Sequence, residues 1–350
     1  MIDVLIVDDS RVIRDYLVHL LQADPELRVI GTAVDGEEAL AFVSEHRPDV
    51  ILMDINMPRV DGLEVTRRIM MSAQPIPIVT CTSSSLYNET GTAMQCLEAG
   101  SLSLVKKPTG PLDPGAEAEA AELIRVVKAM AEVRLVRRWA GPRATPAVTS
   151  KLLPPLPTDR DVAVVAIGAS TGGPPAILQL LSGLSPAFPA PILVVQHIAR
   201  GFGAGFAEWL GQTSGLPVHV AQAGNPPLPG HVYVAPDDLH LRVGPRGELQ
   251  TTKEEPHMGL RPAVGVLFRS VAERHGRRAV GVLLSGMGRD GAEELKLLSD
   301  LGATTIAQDE ESCLVFGMPG EAVKLGAARY VLSPSAIAEL LSRAARGGRG

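Results

Sequence analysis

The chain has 350 residues, 45% of them hydrophobic and 21% charged, with a formal net charge of −6 and only 3% aromatics. That length exceeds one ordinary core, so two domains are expected, and the acidic balance with few stacking rings argues against nucleic acid as a main partner. No apolar run approaches the ~20 residues of a membrane span. The carboxylates of "MIDVLIVDDS" interrupt what would be the apolar region of a signal peptide. A cytoplasmic chain with no direct membrane insertion is expected. Cys81, Cys96 and Cys313 show no CxxC spacing and read as buried, inert thiols.

Short apolar runs alternate with helical patterns over residues 1–125. Strands are expected at 4–7, 28–33, 49–53, 76–80 and 101–105. Between the first two lies "SRVIRDYLVHLLQA", whose Val12, Leu17, Leu20 and Leu21 share one helical face. Five such repeats imply an α/β domain with a parallel sheet covered on both sides. Residues 126–159 read as a helical and then proline-rich linker. Its Arg134, Arg137, Arg138 and Arg143 suit a solvated face or docking onto an acidic surface. The strand–helix rhythm resumes over 160–345, with strands expected at 161–167, 191–196, 218–223, 231–236, 279–285 and 303–308, a last helix near 334–345 and a tail at 346–350.

Asp8 and Asp9 close the first strand and Asp54 closes the third. The carboxyl ends of parallel strands share one edge, so three carboxylates should converge there. Such a cluster repels itself unless a cation occupies it, and hard oxygen ligands suit Mg²⁺. Thr82 and Lys107 follow two further strands, and the whole set fits phosphoryl transfer to an aspartate. The alternative, that each is an ordinary turn or capping carboxylate, is weak for the set together. A cis Lys107–Pro108 bond would aim the lysine.

"VDDS" (7–10), "MDINMPRVDG" (53–62), Thr82 and "KKP" (106–108) resemble the flavodoxin-like (βα)5 receiver domain of bacterial response regulators. The resemblance implies phosphorylation of Asp54 from a sensor histidine kinase. It implies Mg²⁺ held by Asp8, Asp9, Asp54 and the backbone carbonyl of Asn56, with Thr82 sensing the phosphoryl group and Lys107 pairing with it. Leu104 stands where the family often has an aromatic residue.

"AIGASTGGPPA" (166–176) follows an apolar run. As a dinucleotide fingerprint it lacks the middle glycine, which is Ser170, and the next strand ends in Gln196 and His197 rather than a ribose-binding acid. As G-x-S-x-G it presents Ser170 on a strand-to-helix turn, with Pro174 and Pro175 suited to the first helical turn. Free N–H groups of that helix could stabilise an oxyanion. A plain tight turn competes until a base and an acid are found. His197 ends the next strand on the same sheet edge, whereas His231 precedes its strand, His219 lies within one, and His275 sits in a helical stretch. His240 and His257 stay open. Asp290 in "GMGRDG" (286–291) is the favoured acid, Asp309 its rival, and Asp237 and Asp238 are weaker because their strand could belong to a hairpin.

"IGASTGGP", "VVQHI", "LPGHVYVAP", "GVLLSGMGRDGA" and "TIAQDEESCLVFGMP" resemble the catalytic domain of the chemotaxis protein-glutamate methylesterase (CheB) family. The resemblance implies a doubly wound, mostly parallel, Rossmann-like esterase domain without a cofactor. It implies hydrolysis of glutamate γ-methyl esters on methyl-accepting chemoreceptors, with deamidation of receptor glutamines open. Ser170, His197 and Asp290 match its triad, and Thr171 and Met287 match positions near the nucleophile and oxyanion hole. Where the family often reads "RPSVD", this chain has "RPAVG" (261–265). The lost hydroxyl at Ala263 and carboxylate at Gly265 would alter substrate docking or stability. The receiver is expected to cover the triad edge until Asp54 is phosphorylated. A catalytically dead binding protein and a DNA-acting regulator are the competing classes, the second without any recognition helix or basic domain in its favour.

Overall fold

In the computed structural model the chain divides into two compact units, Met1–Ala140 and Gly141–Gly350. The structure describes residues 1–82, 90–110, 113, 115–133, 135 and 162–347. The first unit runs β1 (Ile2–Val7), α1 (Arg11–Gln22), β2 (Leu27–Ala33), α2 (Gly36–Glu45), β3 (Val50–Met53), α3 (Gly62–Met70), β4 (Ile78–Thr82), α4 (Thr90–Ala99), β5 (Ser103–Lys106) and α5 (Ala116–Ala131). All its strands are parallel, in the order β2-β1-β3-β4-β5. The central strands are apolar at nearly every position because helices cover both faces: Val4 to Val7 and Val50 to Met53 are all buried. Helix starts are set locally. Asp35 accepts the N–H groups of Glu37 and Glu38 at the head of α2, and Asp61 accepts that of Glu64 in α3. Chain order reverses between β1 and β3, and Asp8 and Asp54 stand just beyond those two strands, flanking the crevice that such a reversal opens.

The second unit runs β6 (Val164–Ala169), α6 (Gly173–Leu181), β7 (Ile192–Gln196), α7 (Gly203–Ser214), β8 (Val218–Val220), β9 (Val232–Val234), β10 (His240–Val243), β11 (Leu249–Thr252) and α8 (Val264–His275). It continues with β12 (Ala279–Leu283), α9 (Ala292–Asp300), β13 (Thr304–Gln308), α10 (Met318–Lys324), β14 (Tyr330–Leu332) and α11 (Pro334–Gly347). Seven strands form one sheet, β14-β13-β12-β6-β7-β9-β8, and every pairing is parallel. β6 is the switch strand, with β7 on one side and β12 on the other. Val165, Ile167, Leu193, Val280 and Val282 lie at or below 1% exposure, and each such side chain contributes about 1.5–3 kcal/mol. That core holds the three strands whose ends carry the predicted triad.

The place of β9, the hairpin β10–β11 and β14 depart from expectation. β9 is a parallel strand between β7 and β8, so Asp237 and Asp238 do not follow a hairpin strand; the antiparallel hairpin is the next pair, β10–β11. β14 is an additional edge strand of three residues. The cis peptide bond among the described residues is Arg261–Pro262 rather than Lys107–Pro108. The proline-rich segment 141–159 and Arg134, Arg137, Arg138 and Arg143 lie outside the described residues. Cys81, Cys96 and Cys313 are free and buried, and burial pushes their thiols up, that of Cys96 to about 12. No helix among the described residues is long and apolar enough to cross a membrane.

Candidate functional site

The carboxyl edge of the first sheet gathers Asp8, Asp9 and Asp54, each with a carboxylate oxygen within 4.8 Å of the others. Lys107, one residue past β5, places Nζ 2.6 Å from Asp8 Oδ2 and 3.0 Å from Asp54 Oδ2. Burial pushes the Asp54 carboxyl up to about 6 against the pull of Lys107, while burial of Lys107 is outweighed by its two carboxylates and its ammonium is held charged. Thr82 closes β4 fully buried, and its Oγ1 has no hydrogen-bond partner. Asn56 lies exposed in the loop two residues beyond Asp54. Three hard oxygen donors beside an orphaned buried hydroxyl fit a hard divalent cation sharing oxygens with a phosphoryl group. Lys106 turns away to Glu119, which also accepts from Thr109 N and Oγ1. Those partners hold the Glu119 carboxyl down at about 2 and fasten the chain on both sides of Lys107.

On the second sheet, Ala169 pairs with Gln196 in the last register position of β6 and β7. Ser170 and His197 therefore take the next position on adjacent strands, and His197 N donates to Ala169 O at 3.0 Å. The His197 ring is nearly buried, and its Nε2 lies 3.0 Å from Asp290 Oδ2. Asp290 is 2% exposed. Its oxygens also accept the first N–H groups of α8, Val264 N at 2.7 Å and Gly265 N at 2.9 Å. Burial alone would raise the Asp290 carboxyl, but His197 and the two N–H groups hold it below the usual carboxylate range. With Nε2 turned to the acid, Nδ1 is the ring nitrogen that Asp290 leaves open.

Ser170 is half-buried ahead of α6, whose cap Gly172 has φ 77° and whose first turn carries the prolines. Thr171 is buried, and its carbonyl accepts from Ser285 Oγ at 2.8 Å. Met287 is half-buried in the loop after β12. Its neighbour Gly286 is pinned by N–H groups of Gly317 and Met318 on its carbonyl, at 3.1 and 2.8 Å. A Cβ at Gly286 would meet Ser170 Cβ at 2.8 Å, so only glycine lets that loop come so close to the serine.

Among the rivals, Asp309 accepts Ser312 N in its own turn. Asp237 accepts Gly201 N, and Asp238 pairs with Arg261 and Arg200. His240 is fully buried between Ala263 N and Glu255 O, and His257 forms a tight hairpin with Leu260. His219 and His231 bond to each other away from the triad edge.

Two residues, Ser285 and Gln308, escaped the sequence reading, as did the role of a third, Gln196. Gln196 Nε2 donates to both Ser170 O and His197 O at 2.8 Å, tying the two chain segments together. Ser285 joins Thr171 O to Val315, and Gln308 Oε1 accepts Ser285 N at 2.7 Å. Gln196 and Gln308 share a visible signal: each is the lone amide closing an otherwise buried strand, in "VVQH" and "IAQD".

A family model described as CheB methylesterase matches residues 165–341, and one described as response regulator receiver domain matches residues 4–113. A relative from Nitrosospira multiformis named protein-glutamate methylesterase/protein-glutamine glutaminase is 50% identical over 98% of this chain and 96% of its own length. One of the same name, numbered 1, from Syntrophus aciditrophicus is 48% identical over 99% of each chain. The crystal structure of the Thermotoga maritima CheB methylesterase catalytic domain is 39% identical, covers 51% of this chain and 97% of that one, and superposes with a TM-score of 0.50.

Proposed function

The chain belongs to the CheB methylesterase family and carries a response-regulator receiver domain, and from that premise we propose a triad of Ser170, His197 and Asp290 switched by phosphorylation of Asp54. The enzyme is a protein-glutamate methylesterase, with protein-glutamine glutaminase activity in the same names. The observation that carries the assignment is the His197–Asp290 contact at 3.0 Å, with His197 in register beside Ser170.

His197 Nδ1 takes the Ser170 proton as Oγ attacks the γ-carbonyl carbon of a receptor glutamate methyl ester. The tetrahedral oxyanion is met by backbone N–H groups near Thr171 and Met287, worth roughly 3 kcal/mol of barrier per donor. The ester C–O bond breaks, and the leaving oxygen takes the proton from His197 as methanol. Water then attacks the acyl-enzyme and gives a proton to His197; the Oγ–C bond breaks as His197 returns that proton to Ser170 Oγ, releasing glutamate and free enzyme. A glutamine follows the same course with ammonia leaving. Asp290, fixed by α8, holds the ring in one tautomer and stabilises its cation.

In the receiver, Asp54 attacks the phosphorus of a sensor kinase's phosphohistidine, and the imidazole leaves. Asp8, Asp9, Asp54 and the Asn56 carbonyl would hold Mg²⁺, which when bound neutralises phosphoryl oxygens. Lys107 then leaves the free carboxylates to pair with the phosphoryl group, and Thr82 Oγ1 donates to it. The substrates are cytoplasmic segments of chemoreceptors. Incubating the chain with methylated receptor, with and without a small phosphodonor, should show methanol release that rises with the donor and vanishes in Ser170→Ala. Hydrolysis retained in that variant would sink the mechanism.

A further inference from the structure

The triad acid is held by two backbone N–H groups at the start of α8, and one belongs to Gly265. Gly265 is not empty space. A Cβ built there would lie 2.7 Å from Glu294 Oε2, 2.9 Å from Glu294 Cδ and 3.0 Å from His257 Nε2. Glu294, in the first turn of α9, thus brings a carboxylate to the place where a side chain at 265 would begin. It does so almost fully buried, with its side chain 6% exposed. A buried carboxylate is costly unless paired. Here Oε1 accepts from Arg269 Nη2 of α8 at 2.8 Å and lies 3.9 Å from His257 Nε2 of the 257–260 hairpin. One carboxylate therefore touches α8 and that hairpin from α9, four residues after Asp290 itself. Gly265 N, directly beneath it, donates to Asp290 Oδ1 at 2.9 Å.

We propose that Glu294 is a positioning residue of the esterase site: it fills from α9 the space over Gly265, and clamps Arg269 and His257 so that the α8 N–H pair stays aimed at Asp290. Glycine at 265 and glutamate at 294 are then one arrangement, because a carboxylate can occupy that buried space from either helix and not from both. This rests on Asp290 serving the triad as proposed above.

The test is a double-mutant cycle in the full chain, read by methanol release from methylated receptor and by thermal melting. Glu294→Gln, nearly the same size but uncharged, should lower kcat about tenfold with KM nearly unchanged, because coupled neighbours of this kind typically exchange factors of that order. Gly265→Asp alone forces two carboxylates into one buried site and should lower both kcat and melting temperature. Glu294→Gly alone should lower kcat at least as far as Glu294→Gln. Gly265→Asp with Glu294→Gly restores a single carboxylate and should return kcat to within about threefold of the parent, better than Gly265→Asp or Glu294→Gly alone. The proposal fails if Glu294→Gln melts lower but keeps its kcat, since that is the mark of a structural role alone. It fails equally if the double variant is no better than the better of its two single variants. The Ser170→Ala control keeps the failures apart: hydrolysis surviving there condemns the triad, whereas loss there beside a parent-like Glu294→Gln condemns only the positioning role.

Discussion

Asp290 accepts three hydrogen bonds on two oxygens: Oδ2 from His197 and Val264 N, Oδ1 from Gly265 N. Every partner is a donor, so Asp290→Asn turns an amide N–H₂ against a donor whichever way it rotates. The expected result is a kcat lower by roughly 10³–10⁴, with KM little changed, as when a triad acid can no longer fix its tautomer. The same bonds set a pH dependence of stability. The folded Asp290 carboxyl titrates below its ordinary value, so its contribution is complete above the unfolded pKa of about 4 and is lost as pH falls through the lower folded value. The melting-temperature gap between parent and Asp290→Asn should therefore be full at pH 6 and shrink steadily below about pH 4. A gap unchanged down to pH 3 would show that the carboxylate charge plays no part. Asp290 stands out in the sequence because it follows the apolar run 279–285 within a glycine-rich loop. The groups that hold it do not, since Val264 and Gly265 act through backbone N–H groups that no side-chain pattern announces.

At the scale of strands, the site depends on β6 and β7 ending in step, and Gln196 is the fastener. Its Nε2 donates to the carbonyls of Ser170 and His197 at 2.8 Å each. In Gln196→Leu both carbonyls lose that donor, which should cost about 1–3 kcal/mol in stability. The larger effect should fall on kcat, by about 10²-fold, because a shift near 1 Å between nucleophile and base is enough for that. Urea unfolding and steady-state rates on one preparation separate the two effects, and a kcat within twofold of the parent would refute the fastening role. The apolar runs closing at Asp54, Ser170 and His197 were readable because buried parallel strands need near-continuous Val, Ile and Leu. β14 was not, because three residues with Val331 exposed carry no such run. Nor was β9 placed beside β7, since strand order is set by long-range packing that periodicity does not encode.

For the molecule as a whole, the chemistries proposed for the two units differ, and that difference can be read out separately. The receiver's Asp8, Asp9 and Asp54 repel one another, and Lys107 already spans two of them. Bringing a phosphoryl group to Asp54 adds negative charge to that edge, so the step needs a cation. The proposed esterase triad would move protons between Ser170, His197 and water, with N–H groups meeting its oxyanion, so no step of that mechanism calls for a metal. Chelation with EDTA should therefore abolish the increment in methanol release that a phosphodonor produces and leave the basal rate within about twofold. Asp54→Asn should behave like the chelated parent, insensitive to both phosphodonor and EDTA, while Ser170→Ala should abolish basal and stimulated rates together. A basal rate that collapses on chelation would place a metal in the esterase chemistry and overturn the division. A phosphodonor response that survives both EDTA and Asp54→Asn would instead move the switch away from the acidic edge of the first sheet.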